Sequence, residues 1–541
     1  MTFHYNRKRE RSAAAQRSVV MAARGMVATS QPLATQAGLR VLREGGNAVD
    51  AAVAAAAVLC VVEPFSTGIG GDVFMLIHHG PTGELHGLNA SGRAPRGVSI
   101  EALLRQGYQR MPITGMLPVT VPGALDGWSE ALERFGSWPL SRVLENAIVY
   151  AEEGFPVSEV ISGAWECCIP LLKSHPSSAS VYLRDGRAPR PGQRFVNPDL
   201  ARAFRLIAGE GKDVFYRGEI GRSIVEFSRR NGGYLSLEDL DAHRSTWVKP
   251  ISTDYRGYTL VELPPNGQGL AAIEILNIME GYDVAAMGHN SPEYFHLLLE
   301  AIKVAFADRN TYITDPEFRR IPVEWLASKP YAESRRKSID PRRAAYFVKP
   351  APPAPVSDTI YLTVVDRERT AVSFINSLFY KFGSGMVVSG TGIILQNRGS
   401  SFSLDPGHFN ALEPGKRPMH TIIPAMVFRD GKFWMTFGVM GGDMQPQGHA
   451  QVFMNIVDFG FNIQEAIDAP RVRYQEDSKA ALEDGIPEDV RRSLAERGHE
   501  TDLPPEDTNQ FGGGQGIIWD ESQDVLLGGS DRRKDGCAAG Y

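Results

Sequence analysis

Residues 350–366 read PAPPAPVSDTIYLTVVD, and this junction between two kinds of sequence decides the fold. Its first six positions contain four prolines, which can neither continue a helix nor pair inside a sheet. From Thr359 to Asp366, residues with polar groups alternate with aliphatic ones, which is typical of a strand with two different faces. The pattern predicts a linker over 347–358 and a core strand that begins at Thr359.

The first residue of this strand has chemical significance. If the bond between Asp358 and Thr359 is cut, Thr359 gains a free α-amine beside its own hydroxyl. One residue then supplies both a nucleophile and a base, which is what a self-cleaving N-terminal nucleophile requires. An ordinary linker that meets an ordinary strand would have the same residues, so these residues alone leave both interpretations open.

The composition is that of a globular protein. The chain has 541 residues, of which 43% are hydrophobic and 22% are charged. This length predicts two domains or one large, elaborated domain. The net charge of −6 provides no basic surface for nucleic acid, so we expect no such partner. No apolar run approaches the roughly 18 residues of a membrane span, and none is expected.

The N-terminal segment 1–25 is expected to be disordered, because its only pronounced feature is the basic cluster at 7–11. It has no apolar region of a secretory signal, which predicts a cytoplasmic location. The cysteines show no metal-ligand spacing and suit a reducing compartment, and two of them are adjacent, which strains any disulfide between them. The four cysteines are Cys60, Cys167, Cys168 and Cys537.

The chain divides into a helix-rich part, 26–358, and a strand-rich part, 359–541. After a strand over 26–29, helices are predicted from Ser30 and from Asn47, followed by a strand pair within 73–88. Further helices are predicted over 123–135, 140–153, 199–210, 218–231, 237–242 and 292–309. Strands are predicted over 257–263, 359–366, 371–379, 386–388, 392–395, 425–428 and 433–439, with helices over 447–459 and 463–468. Helices before and after a central antiparallel sheet predict an α+β layered sandwich.

Three short motifs are candidates for chemistry. Gly441-Gly442 lies between a strand and a helix, where backbone N–H groups could form an oxyanion hole, although a tight turn would look the same. His420-Thr421 is a polar pair in an apolar segment bracketed by prolines. The glycines of 68–71 precede a strand instead of joining a strand to a helix, which argues against a nucleotide-binding loop.

Taken together, the motifs resemble the γ-glutamyltranspeptidase family of N-terminal nucleophile hydrolases. The resemblance extends from about Val27 to the C-terminus. The segments that carry it are 34–38, 45–52, 68–72, 358–359, 382–385 and 438–442.

The resemblance implies a four-layer αββα sandwich built from two autocleaved subunits of 358 and 183 residues. It implies that the precursor cuts itself between Asp358 and Thr359, and that Thr359 then forms an acyl-enzyme with an amide substrate. Ser377 matches a second hydroxyl that supports the nucleophile, and Gly441 and Gly442 match the oxyanion-hole glycines. Hydrolysis or transpeptidation follows, with no metal or organic cofactor.

The substrate-binding positions depart from the family pattern. Where the family carries Asn, Gln and Asp, this chain has Phe379, Arg398 and Ser401. His420-Thr421 replaces a serine pair, and Arg93 is displaced by two residues from the family's carboxylate-binding arginine. We expect Arg93, Arg398, Ser401, His420 and Thr421 to contact the substrate.

These departures leave the acyl group open. By resemblance alone, the substrates are γ-glutamyl compounds such as glutathione. Neutral Ser401 replaces an acidic residue that would pair with a substrate ammonium, and Arg398 adds a cation. These two changes instead favour an acyl group with a carboxylate and no α-amine, as in glutaryl-cephalosporin acylases or oxamate amidohydrolases. A processed but inactive binding protein is the alternative from a different class.

Overall fold

The computed structural model describes residues 17–345, 357–501 and 508–541, and two antiparallel seven-stranded sheets form its centre. The sheets pack face to face around an apolar layer that includes Phe74, Tyr361, Ile375 and Met426. Helices cover both outer faces, each over its own large core. The architecture is therefore the four-layer αββα sandwich.

We number the strands in chain order. In spatial order, sheet A contains β1 (Val20–Ala22), β19 (Val525–Ser530), β18 (Gly513–Asp520), β15 (Lys432–Met440), β14 (Ala425–Arg429), β9 (Tyr258–Glu262) and β8 (Ile251–Tyr255). Sheet B contains β20 (Cys537–Gly540), β2 (Met26–Thr29), β10 (Ser357–Val365), β11 (Ala371–Tyr380), β3 (Asp72–His79), β4 (Glu84–Ala90) and β7 (Thr246–Val248). Three small ribbons pair β5 (Phe155–Pro156) with β6 (Arg194–Phe195), β12 (Val387–Val388) with β13 (Ile393–Ile394), and β16 (Val472–Glu476) with β17 (Lys479–Leu482).

The helices are numbered in the same way. Those that pack on sheet B are α1 (Pro32–Arg43), α2 (Ala48–Val62) and α4 (Ala124–Phe135). Those that pack on sheet A are α14 (Gly269–Met279), α19 (Met444–Val457) and α20 (Ile463–Asp468), and α16 (Pro292–Tyr312) packs on α14. The others are α3 (Ile100–Arg105), α5 (Leu140–Val143), α6 (Glu145–Glu153), α7 (Glu159–Glu166), α8 (Ile169–Lys173), α9 (Pro176–Tyr182), α10 (Pro198–Glu210), α11 (Asp213–Tyr216), α12 (Glu219–Arg230), α13 (Leu237–Asp241), α15 (Val284–Met287), α17 (Val323–Leu326), α18 (Lys329–Arg336) and α21 (Glu488–Glu496).

The alternation in β10 places its two faces as the sequence predicts. Tyr361 and Thr363 face sheet A, where Thr363 Oγ1 lies 2.9 Å from Thr436 Oγ1. A Cβ at Gly438 would lie 2.5 Å from the Tyr361 ring, so the opposite strand needs a glycine there. The aliphatic residues between them pack with α2 in the outer core. This register fixes the position of Thr359 near one end of the strand.

The starts of helices α1 and α2 show where the local sequence was enough to predict the N-cap residue. Asn47 and Asp50 form the predicted capping box of α2, and every residue of α2 is buried, as expected for its Ala and Val content. Helix α1 corrects the prediction, because Gln31 and not Ser30 caps it. The Ser30 hydroxyl instead donates to Glu63 at 2.5 Å. A long-range contact has overridden the local preference.

The two ends of the predicted large part also need correction. Segment 1–25 is not irregular throughout, because β1 pairs with β19; residues 1–16 lie outside the described residues. Most of the predicted linker likewise lies outside the described residues, but Ser357 and Asp358 belong to β10, where they pair with Tyr380 and Phe379. The strand therefore begins two residues before Thr359.

Residues before and after Thr359 contribute strands to both sheets. In sheet B, β10 lies between β2, from the N-terminal part, and β11, from the C-terminal part. In sheet A, β9 pairs with β14 in the same way. The two parts share one interior. Among the described residues, no helix has the length and apolar character needed to cross a membrane.

Candidate active site

Thr359 lies at a bulge in the hairpin of β10 and β11. Asp358 pairs with Phe379 and Ile360 pairs with Asn376, so Thr359 alone faces two residues of β11, Ser377 and Leu378. The Thr359 Oγ1 and Ser377 Oγ atoms are 3.0 Å apart, and both side chains are fully buried. The bulge thus brings the predicted nucleophile and the predicted supporting hydroxyl into hydrogen-bond contact.

Contacts on both sides hold Ser377 in place. Its Oγ accepts the N–H of Phe379 at 2.8 Å and lies 3.4 Å from Arg398 Nη2. Its carbonyl oxygen would lie 2.2 Å from a Cβ at Gly71, so that position needs a glycine. The glycines predicted not to bind a nucleotide therefore permit close packing of the loop before β3 against the hairpin.

Arg398 is a fully buried cation next to this pair. Its Nη1 donates to Thr421 Oγ1 at 2.8 Å, and its guanidinium carbon lies 3.9 Å from the centre of the Phe379 ring. Its Nε is buried and has no hydrogen-bond partner among the described residues, and no described carboxylate forms an ion pair with it. Burial lowers the pKa of Arg398 to about 9, against the opposing attraction of Asp72. A buried, incompletely paired guanidinium suits an anionic ligand.

Asp72, which sequence reasoning missed, is the charged group that most strongly stabilises the charged form of Arg398. It accepts the N–H groups of Gly92 at 3.0 Å and Gly123 at 3.2 Å, and Gln396 Nε2 at 2.9 Å. Burial raises its pKa to about 6, while Arg398 and these donors act in the opposite direction. The signal for it was its place directly after Gly70-Gly71, at the start of β3.

His420 contacts Asp72 and not the hydroxyl pair. Its Nδ1 accepts the N–H of Ile422 at 3.3 Å, which places its proton on Nε2, and Nε2 donates to Asp72 Oδ2 at 3.0 Å. Burial and the charge of Arg398 hold its pKa well below the ordinary value, so the ring is neutral. In this structure, His420 therefore orients Asp72, while the neighbouring Thr421 contacts Arg398.

The Gly441-Gly442 turn joins β15 to α19. Both glycines have positive φ, +121° and +59°, which favours glycine. Gln268 Nε2 donates to the carbonyl oxygens of Gly442 at 2.9 Å and Thr421 at 2.7 Å. In the described part of the chain, neither glycine N–H donates to another backbone carbonyl. The turn has the conformation needed to present N–H groups to a developing anion.

Gln268 is itself held by a buried cation. Arg309 Nη1 donates to Gln268 Oε1 at 2.8 Å and to Asp443 Oδ1 at 2.7 Å. Hydrogen bonds from the Gln268 side chain thus link the Gly442 carbonyl oxygen to the Thr421 carbonyl oxygen. The Thr421 hydroxyl in turn accepts a hydrogen bond from Arg398. Gln268 and Arg309 carried no motif that could have indicated this role.

Two of the expected substrate contacts are engaged elsewhere. Arg93 pairs with Asp315 at 3.4 Å and Glu317 at 2.8 Å, in a partly exposed network. The Ser401 hydroxyl lies 2.9 Å from the carbonyl oxygens of Arg398 and Met419, so it fixes the 3₁₀ turn Arg398–Ser401. Two carboxylates, one of them fully buried, hold the Arg93 guanidinium in this network.

A cluster elsewhere has the composition of a metal site. The potential ligand atoms of His296, Glu300 and His499 lie within 4.8 Å of one another. However, Glu300 forms an ion pair with Lys303 at 2.7 Å, and the two histidines hydrogen-bond to each other at 2.9 Å. Glu300 is thus already paired with a cation, so these residues fit a polar contact within the fold better than a metal site.

Comparison with known proteins gives a consistent result. The family model described as "Gamma-glutamyltranspeptidase" matches residues 34–541. The chain is 41% identical to the "Glutathione hydrolase-like YwrD proenzyme" of Bacillus subtilis, over 96% of this chain and 99% of that protein. It is 37% identical to the "Oxamate amidohydrolase proenzyme" of Klebsiella pneumoniae, over 96% and 98%. The crystal structure of cephalosporin acylase from Bacillus halodurans matches with a TM-score of 0.92 and 44% identity, over 98% of each chain.

Proposed function

The chain belongs to the γ-glutamyltranspeptidase family of N-terminal nucleophile hydrolases, and we propose that it is an autoprocessing amidohydrolase whose acyl group carries a carboxylate and no α-amine. Thr359 is the proposed nucleophile, and Arg398 is the proposed carboxylate-binding residue. The observation that carries the proposal is the buried guanidinium of Arg398, which lies one side chain away from Thr359.

The first proposed step is cleavage of the chain. Thr359 Oγ1 attacks the carbonyl carbon of Asp358, and the peptide C–N bond breaks as its nitrogen takes up a proton. Water then hydrolyses the ester, which leaves a carboxyl group on Asp358 and a free α-amine on Thr359. The 3.0 Å contact with Ser377 supports this step, because it orients the hydroxyl.

In the second step, the same hydroxyl attacks the substrate. The α-amine of Thr359 takes the hydroxyl proton as Oγ1 attacks the amide carbonyl, and the leaving amine receives that proton as the C–N bond breaks. The N–H groups of Gly441 and Gly442 stabilise the negative oxygen. Water, activated by the same α-amine, releases the acid from the acyl-enzyme, and an amine acceptor in its place would give transpeptidation.

Charge in the site supports the choice of acyl group. A substrate α-ammonium would need an acidic or polar partner, but Asp72 already accepts four hydrogen bonds and Asp443 is paired with Arg309. The Ser401 hydroxyl is directed at carbonyl oxygens. Arg398, in contrast, lacks a carboxylate partner among the described residues. The site therefore favours an anion over a zwitterion.

Two substrates that differ in one group test this proposal. Glutaryl-p-nitroanilide and γ-glutamyl-p-nitroanilide are identical except for the α-ammonium group of the latter. We expect kcat/KM for the glutaryl compound to be at least about tenfold higher, since an α-ammonium buried without a partner costs roughly 1–3 kcal/mol or more. Preference for the γ-glutamyl compound would overturn the substrate assignment and leave the nucleophile assignment intact. Oxamate, measured by ammonia release, tests whether a shorter acyl group is used.

Absence of all turnover would instead favour a processed binding protein. That outcome is separable from a wrong choice of substrate, because acid quenching with a panel of carboxylate-bearing amides would detect any acyl group bound to Thr359. A processed chain that never carries an acyl group would contradict the proposed enzymatic function.

A further inference from the structure

Two adjacent thiols lie beside a buried ammonium group close to the end of β11. Cys167 and Cys168 form the turn between α7 and α8, and Lys381 directly follows β11. Lys381 Nζ is 3.6 Å from Cys167 Sγ, which is 3.8 Å from Cys168 Sγ. Cys167 is exposed, whereas Cys168 and Lys381 are buried. The proposed amidohydrolase reaction uses none of these three groups.

Rigid packing holds the ammonium and the sulfur together. Trp165, two residues before Cys167, meets the ring of Phe382, directly after Lys381, at a centroid distance of 5.5 Å and an edge-on angle. Both rings are fully buried, and Phe382 also packs edge-on against Tyr182. The two backbone segments are therefore fixed relative to each other on either side of the Lys381–Cys167 contact.

The contact favours the ionised form of the exposed sulfur. An adjacent ammonium stabilises a thiolate relative to a thiol and so increases its reactivity at neutral pH. The Ala164 carbonyl oxygen also lies near both sulfur atoms, at 3.1 Å from Cys167 and 3.5 Å from Cys168, and it would not stabilise an anion. The contact of Cys167 with the Lys381 ammonium is a feature that an ordinary surface thiol lacks.

The remaining cysteines have the opposite tendency. Burial raises the pKa of the Cys60 thiol far above its usual range, and burial also raises the pKa of the Cys537 thiol. Cys537 is nevertheless partly exposed, so it provides an internal control for accessibility without activation.

We propose that Cys167 is a modification site for hydroperoxides, activated by Lys381 and resolved by Cys168. The Cys167 thiolate attacks the outer oxygen of the hydroperoxide, the O–O bond breaks, and the leaving alkoxide or hydroxide takes up a proton, which leaves Cys167 as a sulfenic acid. Cys168 sulfur then attacks the oxidised sulfur, an S–S bond forms, and the oxygen leaves as water with the Cys168 proton. A disulfide between adjacent residues is strained and is therefore easily reduced, so a dithiol restores the reduced pair.

The site depends on the assembled protein. The two cysteines precede Thr359 and Lys381 follows it, so the proposed cleavage would place the thiols and their activating ammonium on different fragments. Activation should therefore be a property of the folded enzyme and not of the local sequence.

The first test measures thiol alkylation in the purified full-length protein. Iodoacetamide labelling of each cysteine, followed by peptide mass spectrometry from pH 6 to pH 9, should show Cys167 reacting about tenfold faster than Cys537 at pH 7. In urea the two rates should converge. Lys381→Met should slow Cys167 several-fold, and Lys381→Arg should preserve most of the rate. Equal rates for Cys167 and Cys537 in the folded protein would overturn activation, even if the Lys381 variants fail to fold.

The second test follows oxidation. After limited hydrogen peroxide, the peptide that contains both cysteines should lose two hydrogen atoms and regain them with dithiothreitol. In Cys168→Ser the same peptide should instead carry a sulfenic acid, trapped by dimedone at Cys167. Accumulation of sulfinic acid without a disulfide in the unsubstituted protein would overturn the resolving role of Cys168.

Discussion

The two sides of the candidate site differ in the charge of their groups. On the proposed catalytic side, the neutral hydroxyls of Thr359 and Ser377 are in contact, and the Gly441-Gly442 turn has positive φ. On the proposed acyl-binding side, the buried cation Arg398 contacts Phe379 and Thr421. The difference supports the proposal that an amide is cut and that its acyl group is anionic.

The largest expected effect tests the catalytic side. Thr359→Ala removes the nucleophile for both steps, so the chain should remain a single uncut polypeptide without activity. Thr359→Ser keeps a hydroxyl and should still process, more slowly. A denaturing gel with N-terminal sequencing distinguishes fragments of 358 and 183 residues from the intact chain. Cleavage before residue 359 in the alanine variant would contradict the mechanism.

The next effect tests the acyl-binding side. Arg398→Met keeps much of the packing on Phe379 but removes the charge. We expect kcat/KM for glutaryl-p-nitroanilide to fall about 10- to 100-fold, because a charge-assisted hydrogen bond is lost. Processing before Thr359 should continue. If γ-glutamyl and glutaryl substrates lose activity equally, Arg398 does not discriminate between them.

Ser377 lies between the two sides, because its hydroxyl contacts both Thr359 and Arg398. For Ser377→Ala we expect a roughly tenfold lower kcat, because the nucleophile is less well oriented, and a smaller change in KM. Ser377→Thr, which retains the hydroxyl, serves as the matched control. A change confined to KM would assign Ser377 to the acyl-binding side alone.

A pH effect should reveal Asp72. Its pKa is raised to about 6, so it is mostly neutral at pH 5 and ionised at pH 7. Ionised Asp72 partly offsets the positive charge of Arg398 and so weakens its attraction for the substrate carboxylate. KM for the glutaryl substrate should therefore rise several-fold from pH 5 to pH 7. Asp72→Asn should flatten that rise. A parallel KM profile in both proteins would exclude Asp72 as the cause.

The same raised pKa has a consequence for stability. The folded state binds the Asp72 proton more tightly than the unfolded state does, so this group's contribution favours folding at low pH. The contribution is lost as the pH rises from about 4 to about 6. Asp72→Asn should remove that part of the pH dependence, which thermal unfolding measured at several pH values would detect; an unchanged dependence would contradict the raised pKa.

The smallest effects should come from Arg93 and Ser401, whose side chains have other partners. Arg93→Gln breaks a partly exposed ion-pair network, and Ser401→Ala removes a hydrogen bond within a 3₁₀ turn. Each should change kcat/KM for the glutaryl substrate less than about threefold, since such contacts contribute about 1 kcal/mol or less to stability. A more than tenfold loss of kcat/KM with unchanged thermal stability would show that the residue does contribute to substrate binding.

The hairpin that carries Thr359 could be predicted from sequence because its signals are local. Alternation in β10 gave the hairpin, and Asn47 with Asp50 gave the cap of α2. The missing parts depend on long-range contacts. Helix α14 was missed because, unlike α2, it has no side-chain cap at its start, and Gln268 at its N-cap acts through two distant carbonyl groups. Asp72 was visible in its motif, but its partners come from four separate segments.

The most direct test of the account is the mass of the fragment that begins at Thr359. The purified protein is mixed with glutaryl-p-nitroanilide, quenched with acid during turnover and digested for mass spectrometry. The account predicts one glutaryl group on the N-terminal peptide of the 183-residue fragment, and much less γ-glutamyl group there when γ-glutamyl-p-nitroanilide is used instead at the same concentration. An uncut chain, or a glutaryl group on any residue other than Thr359, would contradict it.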